Sequence, residues 1–173
     1  AYQIQFSVMK DKVTLMIDTS GDGLHKRGYR RIANAAPLKE TIAAAMVTMS
    51  YWKFEYPLCD PFCGSGTIPI EAAMFKRNIA PGLTRSFSAQ NFKFIDSSLW
   101  AQAKEEAQSL KRALPLEIYA SDIDAETVEI ARENAKIAGV DDAISFSVMP
   151  AQNFSSKTRY GSVICNPPYG ERL

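Results

Sequence analysis

From residue 58 onward the chain repeats one unit, in which a short apolar segment is followed by a polar loop and then by apolar residues at helical spacing. Strands that alternate with helices predict an α/β protein whose sheet is mostly parallel. Ligands of such sheets bind beyond the carboxyl ends of the strands, so we expect function to concentrate in the loops there. The predicted strands end at Cys59 and cover 116–120, about 143–149 and 161–165, and the predicted helices include 68–75 and 124–138.

The first 36 residues follow a different pattern and are expected to form an N-terminal unit. Apolar and polar residues alternate over 2–9 and again over 13–18, and the short polar link between these segments predicts a β-hairpin. A basic, glycine-rich loop follows the hairpin. The remaining residues, 37–173, are predicted to form the core, with helices from 39 to about 52 and over 99–113 and an insertion at about 79–98.

Composition limits the class of protein. The 173 residues are 46% apolar and 23% charged with a net charge of +1, which excludes a disordered or low-complexity chain. No apolar run approaches the roughly 20 residues that a membrane span requires. Three cysteines cannot form a closed disulfide set and contain no metal-binding pair, so we expect a cytoplasmic protein without a metal.

The first strand is followed by DPFCGSGT, residues 60–67. Gly64 and Gly66 allow a ligand to approach the backbone and would leave amide groups free at the start of a helix. A phosphate loop would need a following Gly-Lys-Ser/Thr, and a dinucleotide fingerprint would need glycine where Pro69 stands. Asp60 would repel a pyrophosphate but suits a cationic ligand such as S-adenosylmethionine. The alternative is a purely structural turn.

The second strand leads into Ser-Asp-Ile-Asp at 121–124. An acidic side chain at this position can accept hydrogen bonds from both ribose hydroxyls of a nucleoside. By its place in the motif Asp122 is that residue, whereas Asp124 fits a helix cap and Ile123 can pack on an adenine face. The alternative is that both aspartates only cap the helix.

The fourth strand runs into NPPYGERL at 166–173, the most specific motif in the chain. The two prolines restrict the backbone so that the Asn166 amide and the Pro167 carbonyl point in fixed directions. Together with the ring of Tyr169 they suit a planar base with an exocyclic amino group. Two acceptors for the hydrogens of that amine would free its lone pair to attack a methyl group. A proline-rich turn and an Asn-Pro-x-Tyr docking peptide are the alternatives.

A cluster of basic residues and one tyrosine follows the hairpin. Lys26, Arg27, Tyr29 and Arg30 are predicted to contact phosphate and to stack on a base. A solvated loop is the alternative. His25, the only histidine, has no partner that would make it a metal ligand.

Taken in order, these motifs resemble class I S-adenosylmethionine-dependent amino-methyltransferases. They are most similar to the THUMP-associated bacterial enzymes that methylate the guanine amino group in large-subunit ribosomal RNA. The resemblance runs from IDTSGDGLHKRGYR to NPPYGERL and covers nearly the whole chain. It implies a Rossmann-like methyltransferase fold of which this chain would hold four sheet strands and end at the catalytic loop.

The resemblance also implies roles for individual residues. Asn166, Pro167 and Tyr169 would take the target base, and Asn153 stands where the family usually has an acidic residue that contacts the adenine amino group. The cofactor S-adenosylmethionine would be held by residues of the first two loops and of the segment before the first core helix: Asp60, Phe62, Gly64, Gly66, Thr67, Asp122, Ile123, Leu38, Lys39 and Glu40.

The expected activity is methyl transfer to an exocyclic amino group of a nucleic-acid base, with guanine N2 of 23S ribosomal RNA as the specific expectation. The resemblance implies ribosomal RNA as the partner and a THUMP domain elsewhere in a longer parent protein. An adenine-N6 DNA methyltransferase and a non-catalytic fragment that keeps the cofactor fold are the two rival hypotheses.

Overall fold

A computed structural model describes residues 2–30, 38–156 and 158–168, and within these ranges it confirms the α/β architecture. A two-stranded antiparallel sheet comes first, followed by a parallel sheet of four strands in the spatial order β5-β4-β3-β6. α-Helices connect the first parallel strand to the second and the second to the third, as is usual for neighbouring parallel strands. The strands are β1 (Ile4–Met9), β2 (Lys12–Ile17), β3 (Leu58–Asp60), β4 (Ile118–Asp122), β5 (Ile144–Val148) and β6 (Ser162–Val163).

The predicted hairpin is confirmed. Lys10 and Asp11 form its turn with φ angles of +48° and +58°, the left-handed backbone that a two-residue hairpin loop requires. Phe6 pairs with Leu15 across the strands. Every residue of β1 and β2 is exposed to solvent, including the apolar face.

The described residues include four α-helices, and the main core lies between three of them and one face of the parallel sheet. Leu58 and Ile118 on neighbouring strands are fully buried together with Val47, Ile70 and Val128 of the helices. The helices are α1 (Glu40–Met49), α2 (Thr67–Lys76), α3 (Ser98–Ser109) and α4 (Ala125–Ala138), and short 3₁₀ turns occur at Ser88–Asn91, Asp141–Ala143 and Ala151–Asn153.

The caps predicted for α4 are confirmed. Asp124 accepts a hydrogen bond from the Glu126 backbone N–H, and Gly139 ends the helix at φ +69°. The face made by Val128, Ala131 and Ala135 is completely buried. This helix starts directly after the loop that carries Asp122, so its caps fix where that loop lies.

Several predicted boundaries differ from the structure. The strand predicted at 116–120 pairs from Ile118 to Asp122, because its ladder with β3 begins only where Leu58 meets Ile118. The helix predicted to reach about residue 52 ends at Met49, and Tyr51 has a φ of +54° that no helix continues through. The helix predicted at 99–113 covers Ser98–Ser109, and the strand predicted at 161–165 pairs only over Ser162–Val163.

The second face of the parallel sheet is largely open. Side chains on this face alternate along the strands with those of the core, and Tyr119 and Val163 are 45% and 62% exposed there. The sheet therefore carries its helices on one side within the described residues.

The expected boundary between residues 36 and 37 lies outside the described residues. The basic loop before it packs against the core, since the ring of Tyr29 is only 3% exposed. None of the described helices has the length and apolar composition needed to cross a membrane.

Candidate functional site

One cleft of about 450 Å³ lies at the carboxyl ends of the parallel strands, a size typical of small-ligand sites. Residues that follow all four strands of the parallel sheet line it. They are Pro61, Phe62 and Gly64 after β3, Asp122 and Ile123 after β4, Pro150, Ala151 and Gln152 after β5, and Asn166, Pro167 and Pro168 after β6. The structure therefore brings the three main sequence motifs together in one place.

Four backbone amides of the glycine loop already have acceptors, so these four are not free, contrary to the prediction from the sequence. The Phe62 N–H donates to Asp60 Oδ1 at 3.1 Å, and the Gly64 N–H donates to Asp122 Oδ2 at 3.0 Å. The N–H groups of Cys63 and Gly66 donate to the carbonyls of Ser121 and Cys63, both at 2.9 Å. Because these four donors already have acceptors, two of them carboxylates, they are not available to bind an anion.

The two glycines of the loop have different roles. Gly64, with φ +52°, lines the cleft, and a Cβ built on it would meet no atom within 4 Å. Gly66, with φ +83°, does not line the cleft; a Cβ there would lie 3.1 Å from the Cβ of Ala131 on α4. This glycine permits close packing of α2 on α4, and its predicted contact with the cofactor stays a prediction.

Asp60 lies beneath the cleft instead of lining it, with only 1% of its surface exposed. One carboxylate oxygen accepts from Phe62, and the other, Oδ2, has no hydrogen-bond partner. Burial raises the pKa of Asp60 to about 7; the Phe62 N–H lowers it and the nearby Asp122 carboxylate raises it. An unpartnered buried carboxylate oxygen is costly and favours a cationic group close by.

Asp122 connects the first two loops. Besides accepting from Gly64, its carboxylate accepts from the Asp124 N–H at 3.2 Å through Oδ1. Each carboxylate oxygen has a second lone pair, so both can still accept a hydroxyl hydrogen from a ligand. The neighbouring Ile123 side chain is 72% exposed at the cleft and offers a flat apolar surface.

Asn166 and Pro167 are exposed at the end of β6 and line the cleft as the sequence predicts. Ile164 is still tied to the sheet by its N–H bond to the Cys59 carbonyl at 3.0 Å. The Asn166 side chain therefore starts two residues beyond a fixed point of the sheet. The prediction for Tyr169 falls outside the described residues.

Other residues predicted to contact the cofactor lie outside the lining of this cleft. Gln152, and not Asn153, lines the cleft from the turn at Ala151–Asn153. Leu38, Lys39 and Glu40 do not line it. Glu40 is buried at the start of α1, 3% exposed, and the equally buried Thr67 accepts a hydrogen bond from Arg30.

The basic loop packs into the interior, and three of its four residues predicted to bind nucleic acid are largely buried. The Tyr29 hydroxyl donates to Glu71 Oε1 at 3.1 Å, and the same carboxylate forms an ion pair of 3.5 Å with Arg27 Nε. Since the Tyr29 ring is buried, it cannot stack on a base. Arg30 is paired with Glu40. Lys26 alone of the four predicted residues is well exposed, 3.2 Å from Asp22.

Sequence reasoning missed this buried charge network. Its signal was the position of two acidic residues: Glu71 interrupts the apolar segment IPIEAAMF, and Glu40 begins a helix with a buried face. A buried carboxylate requires a partner, and the arginines of the loop are the cations available.

Burial disfavours the thiolate form of Cys59 and Cys63. Burial raises the pKa of Cys59 to about 12 and also raises the pKa of Cys63 well above its ordinary value. Both thiols are therefore protonated at neutral pH, as expected for small core residues.

A second cleft, of about 400 Å³, lies on the open face of the sheet. Tyr119, Ser147, Phe154 and Tyr160 contribute to its walls. It contains none of the acidic, glycine or asparagine residues of the motifs, so we assign the chemistry to the cleft at the strand ends.

The chain is similar to proteins named as methyltransferases. Residues 27–173 match the family model described as UPF0020, the RMKL-like methyltransferase domain. The chain is 47% identical over 173 residues to the Bacillus subtilis (strain 168) protein named "Putative RNA methyltransferase YpsC". The aligned region covers 99% of this chain and 45% of that protein.

Solved structures agree with this match. A protein of Listeria monocytogenes str. 4b F2365, named as a predicted N6-adenine-specific DNA methylase, superposes with a TM-score of 0.94 at 49% identity, covering 99% of this chain and 46% of that one. SMU.472, named as a "putative methyltransferase" and solved in complex with SAH, superposes with a TM-score of 0.91 at 43% identity, covering 99% of this chain and 45% of that one.

The chain thus spans a little under half the length of these relatives. The family match covers most of the chain and confirms the methyltransferase resemblance drawn from the motifs. The chain belongs to the UPF0020 family, whose model describes this region as an RMKL-like methyltransferase domain.

Proposed function

We propose that the protein transfers a methyl group from S-adenosylmethionine to an exocyclic amino group of a nucleic-acid base, with guanine N2 of 23S ribosomal RNA as the specific target. The observation that carries this proposal is the convergence of Gly64, Asp122 and Asn166 on one cleft. A nucleoside-binding carboxylate and a rigid amide acceptor then lie within reach of the same small ligand.

The residues at the cleft fit the cofactor. Asp122 offers acceptors for the ribose hydroxyls and Ile123 an apolar surface for the adenine ring. The unpartnered oxygen of Asp60 lies beneath them and favours the positive charge of the methionine end. When bound, the cofactor supplies an electrophilic methyl group on its sulfonium sulfur.

The remaining chemistry belongs to the acceptor base. Asn166 Oδ1 and the Pro167 carbonyl accept the two hydrogens of the amine and orient its lone pair toward the methyl group. The methyl group supplied by the cofactor would then pass to this nitrogen, with the sulfonium sulfur as the leaving group. The amine then loses one proton to solvent. No thiolate takes part, which agrees with the protonated state of Cys59 and Cys63.

Ribosomal RNA is the proposed partner, and a THUMP domain in the longer parent is proposed to capture it. The name of the Bacillus subtilis relative supports RNA as the substrate class, and the sequence motifs resemble guanine-N2 enzymes. The name of the Listeria relative favours DNA adenine as the second candidate substrate, because the same amide and carbonyl can hold either amine.

The experiment is methyl incorporation by the full-length protein into ribosomal RNA and into unmethylated genomic DNA under identical conditions. Digestion and mass spectrometry then identify the modified nucleoside. We expect N2-methylguanosine in RNA and background label in DNA. Label only as N6-methyladenine in DNA would establish the second candidate, and SAH binding without label in either substrate would establish a non-catalytic scaffold.

A further inference from the structure

The guanidinium of Arg30 joins the starts of two helices. Its Nη2 atom lies 2.8 Å from Oε2 of Glu40, the first residue of α1, and its Nη1 atom donates to the Leu38 carbonyl at 2.9 Å. The same Nη1 donates to Oγ1 of Thr67, the first residue of α2, at 3.3 Å. Thr67 directly follows the glycine loop, so Arg30 holds the end of that loop from outside the cleft.

This contact is electrostatically unusual. The N-terminal end of a helix carries partial positive charge, so a buried cation between two such ends is unfavourable unless a carboxylate neutralises it. Arg30 and Glu40 have side chains only 11% and 4% exposed, and they satisfy this requirement as a pair. The pair is an ion contact without an aligned hydrogen bond to Glu40 Oε2. Burying these two charges costs desolvation energy that the ion pair only partly offsets. The presence of the pair is therefore weak evidence that its role is to stabilise the fold.

The glycine loop is fixed at two points. On the cleft side the Gly64 N–H donates to Asp122, and at the far end Thr67 is held by Arg30. Gly66 between them has a left-handed backbone and packs against Ala131, so the loop turns sharply at this position. The direction in which the chain enters α2 therefore determines where Gly64 lies in the cleft.

We propose that Arg30 is a positioning residue for the cofactor site: through Leu38 and Thr67 it fixes the glycine loop in the conformation that binds S-adenosylmethionine. The inference rests on the proposed function, because it concerns the affinity of that site. Arg27 and Tyr29 provide the contrast within the same segment. They contact Glu71, which lies one turn farther along α2, and they do not touch the residue at the loop end.

The test separates positioning from stability by removing the ion pair as a unit. In the full-length protein, Arg30→Met alone leaves the buried Glu40 carboxylate unpaired and should lower the melting temperature. The double variant Arg30→Met with Glu40→Gln removes both charges and should restore most of the melting temperature. SAH affinity, measured by calorimetry, should stay at least tenfold below wild type in the double variant, because the tethers to Leu38 and Thr67 are still missing. Arg30→Lys keeps the charge but not the planar guanidinium, so its SAH affinity should lie between those of the wild type and the double variant.

A second measurement does not depend on a ligand. Backbone amide exchange over residues 60–67 should be faster in the double variant than in wild type when no SAH is present. Tyr29→Phe is the matched control: it weakens the buried contact to Glu71 and should leave both SAH affinity and exchange in this segment unchanged.

Two results would overturn the proposal. Wild-type SAH affinity together with wild-type exchange in the double variant would show that Arg30 contributes stability only, and the proposed function would be unaffected. Failure of the wild-type protein to bind SAH at all would reject the proposed function together with this inference.

Discussion

Burial of Asp60 makes the stability of the protein depend on pH. The folded protein keeps a proton on this carboxyl up to pH of about 7, whereas the unfolded chain releases it near its ordinary pKa of 3.8. Between these two values the folded state binds more protons than the unfolded state. The free energy of unfolding therefore decreases as pH rises through this window.

Asp60→Asn should remove this pH dependence. We expect the stability advantage of the variant over the wild type to be larger at pH 8 than at pH 5, by up to about 3 kcal/mol. Urea unfolding at both pH values measures this. Asp124→Asn is the control. Hydrogen bonds from Thr127 and Glu126 lower the pKa of Asp124, so the contribution of this carboxylate to the free energy of unfolding should not change above pH 5.

The affinity for SAH should change with pH in the opposite direction to the free energy of unfolding. In wild type the affinity should rise as pH increases through about 7, because the ionised carboxylate attracts the ammonium group of SAH. In Asp60→Asn the affinity should be lower at pH 8 and nearly independent of pH from 5 to 8. Equal pH profiles for the two proteins in calorimetry would contradict the role given to Asp60.

The sequence predicts the location of a side chain well where neighbouring residues determine it. It predicts the location poorly where a partner far away in the chain determines it. Asp122 and Asn166 follow strands directly, so their place at the cleft follows from the topology. Tyr29 and Arg27 depend on Glu71, more than forty residues away in the chain, and no local pattern indicates that pairing. Clusters of arginine and tyrosine are typical both of nucleic-acid surfaces and of buried ion networks.

The elements illustrate the same distinction. Helix α4 was predicted closely because its caps, Asp124 and Gly139, are local signals. Strand β4 was predicted two residues early, since its limits depend on pairing with β3 and β5 instead of on its own composition. Gly66 was assigned to the ligand, but its lack of a side chain serves the contact between two helices.

Gly66→Ala should therefore destabilise the protein through helix packing. The left-handed backbone and a Cβ 3.1 Å from Ala131 together predict a loss of about 2–4 kcal/mol in the free energy of unfolding. Gly139→Ala is the matched control, because it has a similar φ of +69° but open space around its Cβ, and it should lose only about 1–2 kcal/mol. Denaturant unfolding of both variants compares them, and equal losses would show that packing against α4 is not the reason for glycine here.

On the scale of the whole molecule, the described part of the chain leaves two apolar surfaces uncovered. One is the open face of the parallel sheet, a class of sheet that is ordinarily covered on both sides. The other is the apolar face of the hairpin, where Phe6 and Leu15 pair with each other and are each 73% exposed. A two-stranded hairpin is marginally stable without further packing. Such surfaces are typical of sites of association.

We predict that this 173-residue chain associates and binds an apolar dye through the hairpin. Replacing Phe6 and Leu15 together by serine should reduce dye fluorescence and shift sedimentation toward the monomer. The melting temperature of the core should hardly change, because neither side chain is buried. Ser7→Ala with Thr14→Ala, a pair on the opposite face of the hairpin, is the control. Unchanged dye binding and sedimentation in the serine variant would reject the hairpin as the association surface.

The most direct test of the account compares Asn166→Ala with wild type in single-turnover methylation of ribosomal RNA by the full-length protein, together with calorimetric titration of SAH. Asn166 lies in the same cleft as Asp122, but its proposed contact with the amine should strengthen only as the new bond forms. We predict a rate about a hundredfold lower, comparable to the loss of one preorganised polar contact, with SAH affinity unchanged within about twofold. Asn91→Ala, an exposed asparagine of the insertion, should retain the wild-type rate. Methylation by Asn166→Ala at the wild-type rate would contradict the account, because the loop after β6 would then be only a structural turn.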